Sequence, residues 1–96
     1  MEKKDFESKL GEVFKAKLED GQFVELKLSA VDSRKKIDGF NTAREEPFSL
    51  VFIGDKESLL ADNSYLMSAK GFEEAHIFIS AFKQEEGKIY YDSIFN

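Results

Sequence analysis

The sequence predicts an all-β fold: a small antiparallel barrel or sandwich of about six strands with one short amino-terminal helix. Three observations carry that expectation. Apolar and polar residues alternate with period two through most of the chain, in runs such as Phe14-Lys15-Ala16-Lys17-Leu18. Turn pairs containing glycine, Asp20-Gly21 and Lys70-Gly71 among them, separate those runs. Helical spacing of apolar residues is confined to the amino-terminal segment.

Composition bounds the fold and the chemistry together. The chain has 96 residues, and residues 1–96 read as one domain, able to bury about 60 to 70% of the surface its unfolded form exposes. Ten Phe and three Tyr supply enough bulk to fill a small interior without covalent staples. The absence of Cys excludes disulfides, thiolate catalysis and Cys-based metal centres. A formal charge of -5 is the wrong sign for a nucleic-acid surface, so no nucleic-acid partner is expected. No run approaches about 20 apolar residues, and Met1 to Leu10 lacks the apolar centre of a signal peptide. The expectation is a cytoplasmic protein with no membrane partner.

The elements follow in order. Residues 2 to 10 predict one helix, with Phe6 and Leu10 four apart on the docking face and Gly11 ending it in the left-handed conformation. A hairpin follows. Phe14, Ala16 and Leu18 alternate with Lys15, Lys17 and Glu19; beyond Asp20-Gly21, Val24, Leu26 and Leu28 alternate with charge, and Ala30 extends the apolar side. Phe23 breaks the alternation beside the turn, where it would cover the rim. From Ser33 to Pro47 the pattern fades into a polar loop, with Asp38-Gly39 reversing an excursion that Ile37 and Phe40 pin to the body. Its basic residues Arg34, Lys35 and Lys36 adjoin Asp32 and Asp38 and are answered by Glu45 and Glu46, which makes a solvated surface.

The strand of Phe48 to Ile53 is apolar on both faces, which predicts a covered central strand or an interface. Ser58-Leu59-Leu60 reads as one helical turn, and Tyr65 to Ala69 as a short strand with Tyr65 and Met67 inward. Between Ala75 and Phe82 both faces are again apolar, so parity leaves open whether His76 and Phe78 or Ile77 and Ile79 face the core. Lys83 to Lys88 reads as a polar connection with Gly87 at positive φ. Ile89 to Phe95 forms the last strand. It either closes the chain's own core or offers Tyr90 and Ile94 to a partner.

The stretches "EPFSLVFIG", "YLMSAKG" and "YYDSIFN" resemble a small uncharacterised bacterial all-β domain family of unknown function, over nearly the whole chain. The resemblance rests on Leu10, Gly11, Phe14, Asp20, Gly21, Glu46, Pro47, Phe48, Leu50, Phe52, Gly54, Tyr65, Phe78, Gly87, Tyr91, Phe95 and Asn96. It implies a compact β domain with no assigned chemistry, in a family linked to phage-tail-like assemblies. Two positions depart from the family pattern. Met67-Ser68-Ala69 stands where relatives carry a His, and Ala81-Phe82-Lys83 replaces a PxG turn.

No catalytic, cofactor-binding or metal-ligating set is expected. His76 is the one imidazole, and it lacks a nearby nucleophile, orienting acid or further ligands, so a structural or exposed histidine is the plainer reading. Asp62-Asn63-Ser64 lacks the alternating ligands and the closing Glu of a calcium loop and reads as turn chemistry. Glu45-Glu46 and Glu85-Glu86 read as solvated pairs, and the isolated glycines as turns rather than phosphate cradles. Phe14, Phe48, Phe52, Phe78 and Phe95 are expected to fill the core. The surplus of apolar residues, Tyr90, Ile94, Val51, Ile53, Ile77 and Ile79, exceeds what one short helix covers and forms the candidate interface.

The expected function is therefore a non-enzymatic binding or structural module in a protein assembly, acting through a sheet face or an open strand edge on a protein partner or a second copy. The alternative is a small-molecule-binding protein or enzyme whose pocket, between sheet and helix, uses His76 with Tyr65 or Tyr91. A third reading is an acidic inhibitor of a basic target.

Overall fold

A computed structural model describes residues 1–35 and 46–96. The expected excursion around Ile37, Asp38, Gly39 and Phe40 lies outside the described residues, as do Lys36 and Glu45. The elements are α1 (Lys3–Glu7), β1 (Val13–Lys17), β2 (Phe23–Ser33), β3 (Phe48–Asp55), a 3-10 turn (Lys56–Ser58), β4 (Asn63–Ala69), β5 (Phe72–Glu85) and β6 (Lys88–Phe95). All strand pairings are antiparallel, and their order β1-β2-β3-β6-β5-β4 returns to β1 through Lys15–Ser68, Ala16–Met67 and Lys17–Leu66. The six strands thus form a closed ring.

Two long strands make closure possible. β2 pairs with β1 through residues 23–27 and with β3 through residues 27–33, while β5 pairs with β4 through 72–79 and with β6 through 80–85. Each passes from one curved sheet into the other, as corner strands do. Bulges sit at the corners. Ser29 is the extra residue between Leu28–Phe52 and Ala30–Val51, and Phe82 the extra residue between Ala81–Tyr91 and Lys83–Tyr90. One inserted residue reverses the inward phase of everything after it. Val31 therefore turns inward, and Ala30, expected on the apolar face, turns out.

The interior is lined by alternate residues from every strand, with Phe14, Leu28, Phe52, Met67, Ile79 and Tyr91 fully buried. Parity on β5 is settled here: Ile77 and Ile79 face the core and Phe78, expected inside, is 54% exposed. The β5–β6 connection is also tighter than the sequence suggested. β5 continues to Glu85, opposite Lys88, and only Glu86 (φ 50°) and Gly87 (φ 80°) make the turn. Two successive left-handed residues give the hairpin geometry whose twist matches the strands it joins. Gly54 on β3 serves close packing instead. A Cβ there would lie 2.6 Å from Leu26 Cδ2, so the strand runs against a core side chain.

One end of the ring is stopped by the helix. α1 is shorter than the sequence pattern implies, because residues after Glu7 form turns that end on Gly11 (φ 85°). Leu10 is consequently exposed, and Phe6 alone docks. Its ring lies 5.3 to 6.5 Å from those of Phe14, Phe48, Phe72 and Phe95, which come from β1, β3, β5 and β6. Removing it leaves a void that four strands cannot refill. Phe6→Ala is expected to lower unfolding free energy by about 3–5 kcal/mol, and Leu10→Ala by no more than about 0.5 kcal/mol, in urea titrations followed by circular dichroism.

Candidate functional site

The register of the second sheet assigns the outer face row by row. Lys27, Ile53, Tyr90 and Lys83 form one row, and Ala30, Val51, Asp92 and Ser80 the next. Asp32, Ser49 and Ile94 form a third. Four of the six expected interface residues, Val51, Ile53, Tyr90 and Ile94, thus share one face across β3 and β6. Val51, Ile53 and Tyr90 are half-buried and Ile94 is 48% exposed. Ile77 and Ile79 do not belong to it, since both point into the interior.

Phe82 joins this face, although its place in the alternation did not assign it there. The bulge pushes its ring outward, where it is 53% exposed and meets Tyr90 edge-on with centroids 6.3 Å apart. Lys83 Nζ lies 4.3 Å from the centre of the Tyr90 ring, a cation–π contact worth about 0.5–1 kcal/mol at an exposed site. Tyr90 is thereby held by two neighbours on β5. A signal existed only in the count of residues between Ser80 and the Glu86-Gly87 turn, which is one too many for regular pairing.

β6 itself offers no free edge over most of its length. It pairs with β3 from Phe95 to Lys88 and with β5 from Asp92 to Lys88. "KIYYDSIFN" closes this chain's own ring, with Ile89, Tyr91 and Ser93 buried. The face of the strand, rather than its backbone, is what a partner could reach.

The three residues of the polar alternative do not converge. Tyr91 is buried, and its hydroxyl accepts a hydrogen bond from the Leu60 N–H at 3.1 Å. The Tyr65 hydroxyl donates to the Ala61 carbonyl at 2.7 Å, so both phenols fasten the connection between β3 and β4 across the end of the ring opposite Phe6. Asp62 continues this closure by accepting from Ser80 Oγ at 2.9 Å and the Ala81 N–H at 3.2 Å, where β5 parts from β4. His76 sits outside, exposed and paired in register with outward Leu66. Among the described residues no group of three or more His, Asp or Glu is placed to hold a metal ion.

Burial raises the pKa of Tyr65, aided by Tyr91, Asp62 and Glu19. The folded chain therefore holds this proton more tightly than the unfolded chain. Below about pH 10 both states keep it and stability is insensitive to it; above that the unfolded state ionises first and stability falls. Denaturation midpoints measured from about pH 9 to about pH 11.5 should decline in the wild type, with a shallower decline in Tyr65→Phe.

No helix among the described residues is long and apolar enough to cross a membrane. Neither the curated proteins nor the solved structures provide a match to this chain. A family model does match, spanning residues 1–95 and therefore every element from α1 to β6. The chain belongs to the family described as Domain of unknown function (DUF6916).

Proposed function

We propose that this chain is a small β-barrel acting as a non-enzymatic binding or structural module of a protein assembly, and that its first partner is a second copy of itself. The observation that carries this reading is the outer face of β3, β6 and β5, where Val51, Ile53, Tyr90 and Ile94 lie together with the exposed ring of Phe82. Clustered apolar groups left in water favour association, because docking removes their surface from solvent. The charges bordering the face favour a second copy. Lys27 and Lys83 end one row, while Asp92 and Asp32 stand in the next two. A two-fold axis along the Val51 row sets the lysine row of one copy against the Asp32–Ile94 row of the other, the self-complementarity an isologous interface requires. A cytoplasmic bacterial assembly of the phage-tail-like kind is the setting this reading adopts from the sequence resemblance.

The pocket alternative draws less support, because the ring wall separates exposed His76 from Tyr65 and Tyr91. Sedimentation velocity from about 1 to about 500 µM tests the main reading. The wild-type weight-average sedimentation coefficient is expected to rise with concentration. Tyr90→Asp with Ile94→Asp should hold it at the monomer value, with circular dichroism unchanged because both side chains point away from the core. Should that pair unfold the chain, Phe82→Ser on the exposed bulge takes its place. A wild type that stays monomeric throughout, or a folded variant that associates equally well, overturns the proposal.

A further inference from the structure

A groove of about 380 Å3 between Lys15 and Lys70, on the outer surface of β1 and β4, adjoins a smaller one of about 130 Å3 between Lys27 and Lys88. Val13 and Glu25 line both, so the two form one trough crossing β4, β1, β2 and β3. Val13 forms its floor and is 47% exposed, an apolar residue that the core does not use. Lys88 is neutralised by Asp55 at 2.6 Å, whereas Lys15, Lys27 and Lys70 form no ion pair among the described residues. Lys15 faces Glu25 directly across the β1–β2 ladder, so among the described residues Lys27 and Lys70 are the ammonium groups beside the apolar floor that no lining acid offsets. That is a local excess of positive charge on a chain whose formal charge is -5.

We infer that this trough binds an extended acidic segment of a partner protein, with an apolar side chain resting on Val13 between two carboxylates. The register supplies the spacing. Lys27 lies directly across from Val13 on β2, and the register that sets Lys15 against Ser68 carries Lys70 to the corresponding position on the β4 side. Lys70, Val13 and Lys27 thus stand in one line across the strands, about 4.5–5.5 Å apart at the backbone, and the long lysine side chains extend that span toward the roughly 6.6–6.8 Å between alternate side chains of an extended peptide. An acid at each second position around the apolar residue brings its carboxylate within reach of Lys27 or Lys70. A nucleic acid fits less well. The lining holds no aromatic ring on which a base could stack.

The trough meets the self-association face at Lys27 and Ile53, and the test keeps the two apart through substitutions that lie outside the shared residues. The probe is a fluorescein-labelled peptide, Gly-Glu-Ser-Leu-Ser-Glu-Gly, titrated into the isotopically labelled protein and followed by amide shifts and anisotropy. Shift changes are expected at residues 13–15, 25–27 and 68–70, with affinity falling as salt rises from about 0.05 to about 0.5 M. Lys15→Glu with Lys70→Glu should weaken binding by about tenfold or more, since both substitutions lie on the solvated surface and reverse an attraction. Tyr90→Asp with Ile94→Asp should leave it unchanged. The inference is overturned by an absence of shifts up to about millimolar peptide, by equal affinity in the lysine variant, or by loss in the Tyr90 variant. Equal binding of the lysine-for-glutamate peptide, or of an oligothymidylate, overturns it too.

Discussion

Phe6 is the contact on which closure of this ring depends. A six-stranded ring of short strands leaves an open mouth at each end, and an open mouth admits water to the apolar interior. The Phe6 ring reaches aromatic partners on four strands, and Phe48 and Phe95 stack behind it with centroids 4.6 Å apart and planes 7° from parallel. Those strands belong to both curved sheets, so one side chain ties the halves together. The helix carrying it has five residues and could not persist alone. Its own fastenings are modest: the Glu2 N–H donates to Asp5 at 2.8 Å, and Lys3 reaches Ser33 Oγ at 2.6 Å and Glu46 at 3.6 Å. Docking of the ring stabilises the helix, and the helix holds the ring in the mouth.

The opposite mouth is closed by polar chemistry. Tyr91 reaches the Leu60 N–H from inside the ring, Tyr65 holds the Ala61 carbonyl, and Asp62 satisfies Ser80 and Ala81 where β4 no longer runs beside β5. Each bond serves a backbone or hydroxyl group that closure would otherwise strand. Among the described residues no buried side-chain nitrogen or oxygen lacks a partner. The phenols that looked available for ligand chemistry are occupied in holding a connection in place.

With both ends stopped and the interior filled, the remaining features lie on the outside. The bulge at Phe82 lets β5 turn its corner and, as a consequence, sets an aromatic ring beside Tyr90. Closure also turns Val13, on the shortest of the paired strands, toward solvent among lysines. Two outer surfaces result, one apolar with mixed charge at its borders and one basic around a small apolar floor. The two adjoin at Lys27 and Ile53, and the strand register fixes their relative position.

The sequence by itself determined the strands, because alternation with period two and glycine turns are local properties that one strand expresses without its neighbours. Phe14-Lys15-Ala16, the Asp20-Gly21 hairpin and the strand of Ile89 to Phe95 were legible on those grounds, whereas the surplus apolar set mixed Val51, Ile53, Tyr90 and Ile94 with Ile77 and Ile79, which point inward. Tertiary structure decided the rest. Whether β5 buries Ile77 and Ile79 or His76 and Phe78 depends on which face meets the ring interior, and an alternation apolar on both sides carries no such information. The bulges at Ser29 and Phe82 arise from bending strands through a corner, a requirement of closure that no local pattern records. The joining of β1 to β4, which removes the free edge and makes the trough, pairs residues about fifty positions apart and exists only once the ring is shut.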